Sequence, residues 1–310
     1  VQAIIGSGFG LYGHLPAMVK SDSDLICIPK RYKNKFQSRK ELIQFEKNIY
    51  WSEDDSDINK IEKIVIAIWP LGQEKWIDKC LQYQNITSFV LEKPLGISPE
   101  NSRLLLSKLI RSKKAFRINY SFLYTKWFED LSRLLTKKNI ESIEIQWNFF
   151  AHHFANNLNN WKRYKTEGGG IIRFYGIHLI AILAKLNFSK VINSKTFALC
   201  INEDSKWEAT FEREDKIPLK LIIDSKNLHD SFLIKLNYNN ENKYEIKLKE
   251  PFSDVEILNS SLDPRVAVIK KIHESLDKIS DNKIMNILYE NVNKLWFEIE
   301  NKNDFFESVY

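Results

Sequence analysis

Gly6-Ser7-Gly8-Phe9-Gly10-Leu11 stands directly behind a short apolar run, Val1–Ile5, and ahead of a segment, Leu15–Lys20, that suits a helix. A glycine turn in that setting frees backbone amides. Together with the positive end of the following helix, they can bind a pyrophosphate. The weight lies in the context, because a lone glycine motif says little. Glycine is scarce, 10 of 310 residues, and eight of the ten fall in two clusters: Gly6, Gly8, Gly10 and Gly13, then Gly168, Gly169, Gly170 and Gly176. The third glycine of the usual dinucleotide pattern is displaced. Position 11 is Leu, with Gly10 before it, which bears on helix–strand packing and not on the pyrophosphate contact. About 20 residues on, an acid would take the ribose 2′-hydroxyl of NAD. The chain reads Cys27-Ile28-Pro29-Lys30-Arg31 there, with no acid. Lys30 and Arg31 suit a 2′-phosphate instead, Arg through its forked donors. The expected cofactor is NADP, with NAD as second choice; the alternative is that both cations are solvated loop residues.

Two further residues have chemistry of their own. Lys93 follows the apolar run Ile86–Leu91, at the carboxyl edge where ligands bind in parallel sheets. An ammonium there can hydrogen-bond a reacting oxygen and steady the charge that develops on it. His178 lies in the apolar segment Ile171–Leu186 and has an imidazole suited to proton exchange near neutrality. Interconverting an alcohol and a carbonyl needs a hydride carrier and a group that handles the hydroxyl proton. The plainer readings are a surface lysine and a satisfied core histidine. His152-His153 sits just after a strand ending at Phe149. It reads as a substrate contact through His152 or as an exposed loop pair; without further ligands it is no metal site.

The elements that must position these groups alternate. Val1–Ile5, Asp24–Ile28, Ile64–Trp69, Ile86–Leu91 and Ala115–Tyr120 read as buried strands, with helices over Leu15–Lys20, Gln73–Gln82 and Pro99–Arg111 between them. That alternation implies a mostly parallel sheet. Near residue 120 the pattern changes. Trp127–Leu135 reads as a helix, Ile140–Phe149 as a half-buried strand and Ile171–Leu186 as an apolar helix. Then come strands over Thr196–Ile201, Lys206–Arg213, Leu219–Asp224, Phe232–Tyr238 and Tyr244–Leu248. Val266–Ile279 and Ile284–Ile299 are amphipathic helices. The expected class is α/β, a Rossmann-type parallel sheet over 1–119 followed by an α+β domain with a mainly antiparallel open sheet over 120–310.

Composition narrows the function classes. With 44% hydrophobic and 28% charged residues, whole-chain disorder is excluded. The net charge of +6 is spread along the chain, with one short basic run at Lys30–Lys35. This favours a small, possibly anionic ligand over nucleic acid. Cys27, Cys80 and Cys200 are too few and too scattered for a disulfide framework or a zinc site, so no metal is expected. No apolar run approaches the ~18–20 residues of a membrane span, and no basic leader precedes Val1, so a cytoplasmic location without membrane association is expected.

Several motifs stand in order: Gly6–Ala17 (GSGFGLYGHLPA), Trp69-Pro70 after the third core strand, Glu92-Lys93-Pro94-Leu95-Gly96, Trp161, and Gly168-Gly169-Gly170 with His178 eight residues on. This series resembles the glucose–fructose oxidoreductase, inositol dehydrogenase and MocA (Gfo/Idh/MocA) family, most clearly over 1–180. The resemblance implies a dinucleotide-binding domain followed by an open-sheet α/β domain. It implies NAD(P)-dependent redox chemistry on sugars, nucleotide sugars, sugar acids or cyclitols, and homodimers or homotetramers. It also implies cofactor contacts from Gly6, Ser7, Gly8, Phe9, Gly10, Leu11, Lys30, Arg31, Trp69, Pro70, Glu92 and Lys93, a cis bond at Pro94, and catalysis by Lys93 and His178.

One departure matters. Members of that family commonly carry an Asp four residues before this histidine; here the position is Phe174, flanked by Arg173 and Tyr175. Lys93 and His178 suffice with help from Tyr175 or Tyr120, or Arg173 binds a substrate carboxylate or phosphate, or the redox step is lost and the binding site kept. Tyr120, His152, Trp161 and Arg173 are the expected substrate contacts. Besides a sugar oxidoreductase, an imine reductase and a non-catalytic dinucleotide-binding protein stay open.

Overall fold

A computed structural model describes residues 1–307 except 54, 137–138, 199–201, 240–241, 257, 260 and 279. Cys200 and the ends of the expected segments Thr196–Ile201 and Val266–Ile279 lie outside the described residues. The chain folds into two compact units. The first comprises Val1–Gly96, Leu104–Ser121 and Val255–Ile287, the second Ile97–Arg103, Phe122–Asp254 and Leu288–Tyr310. This differs from a single cut at 119/120 because segment 255–287 packs with the first unit: its helix Val266–Leu276 lies on the helical segment after the glycine turn.

The first unit is a parallel six-stranded sheet ordered β3-β2-β1-β4-β5-β6, built from β1 Gln2–Ile5, β2 Ile26–Pro29, β3 Ile49–Ser52, β4 Lys63–Ile66, β5 Ser88–Leu91 and β6 Ala115–Ile118. Ile4, Ile26, Ile28, Ile64, Val65, Phe89 and Val90 are fully buried, as β-rich apolar runs covered on both faces should be. β3 was not expected from its sequence, Ile-Tyr-Trp-Ser, which follows a charged 3₁₀ stretch over Lys40–Asn48. The sheet's carboxyl edge gathers Gly6, Lys30, Ala67, Glu92 and Asn119, each within a residue or two of its strand's end. The order reverses at β1 and β4, the place where such sheets take ligands. The helix expected over Leu15–Lys20 is shorter: a π-turn over Gly10–His14 passes into α1, Leu15–Met18.

The second unit is a seven-stranded mixed sheet ordered β12-β11-β7-β10-β9-β8-β13. Its strands are β7 Ile140–Phe150, β8 Lys190–Ala198, β9 Asp204–Glu212, β10 Pro218–Asp224, β11 Lys226–Tyr238, β12 Lys243–Leu248 and β13 Asn303–Glu307. Among the described residues, β10–β7 and β13–β8 run parallel and the other pairs of this sheet are antiparallel. Alternation buries one face (Ile143, Ile145, Trp207, Phe211, Leu219, Leu221, Ile234) and leaves Glu144, Glu208 and Lys235 on the other. The expected apolar helix divides into a π-turn, Ile171–Gly176, and α2, Ile177–Lys185.

Candidate active site

In the first unit the glycine turn is a cradle. Gly6 takes φ +146°, and a Cβ on it would stand 2.2 Å from the Ala67 carbonyl oxygen. Only glycine lets β1 close on the end of β4, where Ala67 N donates to Ile5 O at 2.7 Å. Gly8 is the reverse case: a Cβ there would meet nothing within 4 Å, so the turn opens at that point. The open turn at a switch point fits a pyrophosphate. Phe9 folds back along the following turn, edge-on to Tyr12 (5.2 Å) and His14 (5.4 Å), with the Arg265 guanidinium 4.6 Å over its ring. Ser7 and Gly8 stand at the mouth, and Leu11 turns into the core.

At the end of β2, Lys30 pairs with Glu53 at 2.5 Å, and the Arg31 guanidinium lies 5.0 Å over the Tyr32 ring. The neighbouring strand thus supplies an acid that the β2 sequence lacks. Trp69, 43% exposed, is the N-cap residue of a helix over Pro70–Leu81 whose first turn holds Pro70.

The carboxyl end of β5 is anchored from three sides. Gln73 accepts from the Glu92 amide at 2.8 Å and donates to the carbonyls of Glu92 (2.9 Å), Pro94 (3.3 Å) and Leu95 (3.1 Å). The Glu92 carboxylate accepts from Asn119 at 2.8 Å and meets His14 Nε2 at 2.9 Å, while His14 Nδ1 meets His273 Nε2 at 3.0 Å. Burial pushes the Glu92 carboxyl up, but hydrogen bonds from His14 and Asn119 and the charge of Lys93 outweigh it and hold the group below the usual range. His273 is driven well below the usual imidazole range by burial and by the nearby His14, Lys63 and Lys20. Lys93 follows on this fixed turn, half-buried, with a cis bond to Pro94. Tyr120 is buried and its phenol is held above its ordinary range by that burial.

In the second unit Gly170 has φ +79°, and a Cβ on it would stand 2.2 Å from Asp204 Oδ1. The triple-glycine turn therefore seats a buried carboxyl, which burial raises to about 6. His178 is 6% exposed and stacks on Phe122 at 4.5 Å and 18°. Around Tyr175 the aromatic rings meet: Phe149 at 4.7 Å, Phe174 at 4.8 Å and Trp147 at 5.9 Å, with Trp161 edge-on to Phe174 at 5.2 Å. Phe174, where an acid was expected, is thus a wall.

One expectation changes here. Arg173 does not await an anion. It is a structural tie: Nε and Nη2 pair with Glu300 at 2.8 and 2.6 Å, and Nη1 donates to the carbonyls of Ile97 (2.6 Å) and Lys165 (2.9 Å). His152 is exposed, whereas His153 is 3% exposed and lies 3.4 Å from the Tyr175 hydroxyl. Sequence reading singled out none of His14, Gln73, Asn119 and Asp204. The HLPA that follows Gly13 was the available pointer to His14; the others depend on contacts far apart in the chain. Among the described residues no group of three His, Cys, Asp or Glu is placed to hold a metal, and no helix is long and apolar enough to cross a membrane.

No protein-family model and no curated protein sequence matches the chain. Solved structures do. KijD10, a 3-ketoreductase from Actinomadura kijaniata in complex with NADP and TDP-benzene, shares 10% identity over 99% of both chains, with a TM-score of 0.72. The dehydrogenase MviM from Clostridium difficile shares 13% over 97% of this chain and 98% of its own, at 0.72. A super-repressor mutant of Gal80p from Saccharomyces cerevisiae shares 13% over 97% and 94%, at 0.76. At such identities the likeness establishes the fold, and the fold of this chain is that of the Gfo/Idh/MocA-type oxidoreductases.

Proposed function

We propose that the chain is an NAD(P)-dependent oxidoreductase that interconverts an alcohol and a carbonyl on a sugar, nucleotide sugar or sugar acid, with NADP preferred. The observation that carries this reading is the pairing, within one unit, of a glycine turn left open at Gly8 with Lys93 on a turn pinned by Gln73 and Glu92. NADP bound with KijD10 and NAD bound with the similar GenD2 support a nicotinamide dinucleotide as the cofactor, without favouring either. A bound dinucleotide supplies or accepts the hydride. Gly6, Ser7, Gly8, Phe9 and Gly10 would hold its pyrophosphate, Arg31 and Lys30 its 2′-phosphate, and Trp69, Pro70 and Glu92 would border it. Lys93 steadies the reacting oxygen. Within the second unit, His178 and Tyr175 are the groups whose chemistry suits proton exchange.

Phe174 favours a second reading, a dinucleotide-binding protein without turnover. Fluorescence titration with NADPH and NADH, followed by turnover assays with TDP-linked keto sugars, sugar acids and cyclic imines, separates the two. Tight NADPH binding with turnover on a sugar substrate supports the oxidoreductase. Binding with no turnover on any of them supports the second reading, and binding of neither nucleotide removes both.

A further inference from the structure

Three groups of the first unit, far apart in the chain, stand in one line: His273 on the helix Val266–Leu276, His14 at the end of the turn Gly10–His14, and Glu92 just beyond β5. His273 Nε2 lies 3.0 Å from His14 Nδ1, and His14 Nε2 lies 2.9 Å from Glu92 Oε1. Each contact holds one hydrogen, so one choice of tautomer fixes the whole line. His273 is 2% exposed, and its Nδ1 is buried with no hydrogen-bond partner among the described residues. A hydrogen on Nδ1 would be a buried donor with nothing to receive it. It would also make His14 donate from Nδ1, leaving His14 either a bare nitrogen facing the Glu92 carboxylate or a full charge in the interior. With the hydrogen on Nε2 the line closes. His273 Nε2–H donates to His14 Nδ1, and His14 Nε2–H donates to Glu92 Oε1, which also accepts from Asn119 at 2.8 Å.

We propose that the helix Val266–Leu276 is a pH-sensitive latch on the glycine cradle, with His273 its sensor: mild acid protonates His273 and lifts the helix off the turn Gly10–His14. This gives the nucleotide cradle a regulator, and it rests on the oxidoreductase reading for what the cradle holds. A second proton on docked His273 has no place, because Nδ1 has no acceptor. Burial disfavours the charged form, and so do His14, Lys63 of β4 and Lys20 beyond α1. From β6, the Arg117 guanidinium is bound to Ser275 of the same helix and to Asn282. Asp277, at the helix end, pairs with Lys20 at 3.8 Å on the surface. On the helix itself Lys270, Lys271 and Glu274 are exposed. Undocked, His273 takes its proton near the ordinary imidazole value of about 6.5. Docking is therefore fully favoured above that value and weakens about tenfold per pH unit below it. Lifting the helix also carries away Arg265, its N-cap residue, whose guanidinium lies 4.6 Å over Phe9 of the glycine turn.

Native-state hydrogen exchange on the full chain reads the latch. Between about pH 7.5 and about pH 5.5 the protection factors of amides in 266–276 should fall about tenfold, while those of β4 and β5 change much less. No fall, or an equal fall in β4 and β5, overturns the latch. His273→Gln keeps a donor where Nε2 stands and does not titrate. It should match the wild type at about pH 7.5 and lose most of the fall; a variant that falls as the wild type does removes His273 as the sensor. Should that variant be loose at both pH values, ¹⁵N-histidine NMR of the wild type at about pH 7.5 decides: a neutral Nε2–H His273 supports the latch, and the Nδ1–H tautomer or an imidazolium overturns it. Saturating NADPH should raise the protection of 266–276 at least about tenfold. Binding without that gain overturns the coupling to the cradle. If NADPH does not bind at all, the nucleotide reading fails, and exchange without nucleotide decides the latch by itself.

Discussion

His14 Nε2 stands 2.9 Å from Glu92 Oε1, joining the turn that follows the glycine cradle to the strand end that carries Lys93, across 78 residues of sequence. The pair is buried on one side, with His14 inaccessible and Glu92 14% exposed. Removing one partner leaves a carboxylate that has lost its main donor. His14→Leu should therefore cost about 3 kcal/mol, whereas Glu92→Gln, which keeps an acceptor for Asn119, should cost about 1 kcal/mol. Urea unfolding of the two variants checks this. The sign with pH follows from the folded Glu92 carboxyl lying below its unfolded value: the stabilisation is present above the usual carboxylate range and is lost as pH falls through the folded value. Equal costs in the two variants would mean that the imidazole fills space and carries no electrostatic role.

The strands of the first unit were legible because a strand covered on both faces must be an unbroken apolar run, as Ile64–Ile66 and Phe89–Leu91 are. β3 was hidden because its Tyr50 is exposed and its Trp51 half-exposed at the sheet's edge, which breaks the pattern. β13 was hidden because it is five residues with four of them exposed. At the site, the legible signals are local: the glycine turn, the Lys93 turn and the triple glycine are each formed by residues near in sequence. Arg173 failed for the opposite reason. Its partner Glu300 is 127 residues away, and no local pattern distinguishes a cation awaiting an anion from one already paired.

Lys93 sits on a turn held by backbone hydrogen bonds to Gln73, so its side chain can be removed without loosening the cradle. Lys93→Ala should lower turnover at least a hundredfold, about 2.7 kcal/mol on the barrier, with NADPH affinity nearly intact by fluorescence titration. An unchanged rate would remove Lys93 from the chemistry. A parallel loss of nucleotide affinity would recast it as a binding residue.

The pairing of Lys30 with Glu53 divides the two cations at the end of β2. Both side chains of that pair are more than half exposed, so it contributes little to stability and can exchange for a phosphate. Arg31→Ala should weaken NADPH more than NADH, since its fork suits the 2′-phosphate. Glu53→Ala should act oppositely, freeing Lys30 and widening the preference for NADPH. Dissociation constants of both nucleotides for both variants are the measurement. Equal effects of Arg31→Ala on the two nucleotides would reject the phosphate assignment.

Asp204 gives a pH dependence of the opposite sign to Glu92. Its carboxyl is sealed beside Gly170, its Oδ1 has no hydrogen-bond partner among the described residues, and burial raises it to about 6. A folded value above the unfolded one means that the folded chain binds the extra proton, so stability falls as pH rises from about 4 to about 6 and stays lower above that. A rise from the ordinary 3.8 to about 6 corresponds to roughly 3 kcal/mol at about 1.4 kcal/mol per pH unit. Asp204→Asn keeps the shape beside Gly170 without the charge. It should be more stable than the wild type at pH 7, similar at pH 4, and should lose this part of the pH dependence. Chemical unfolding at the two pH values decides it: an asparagine variant less stable than wild type at pH 7 would show that the carboxylate is ionised and paired in the folded chain.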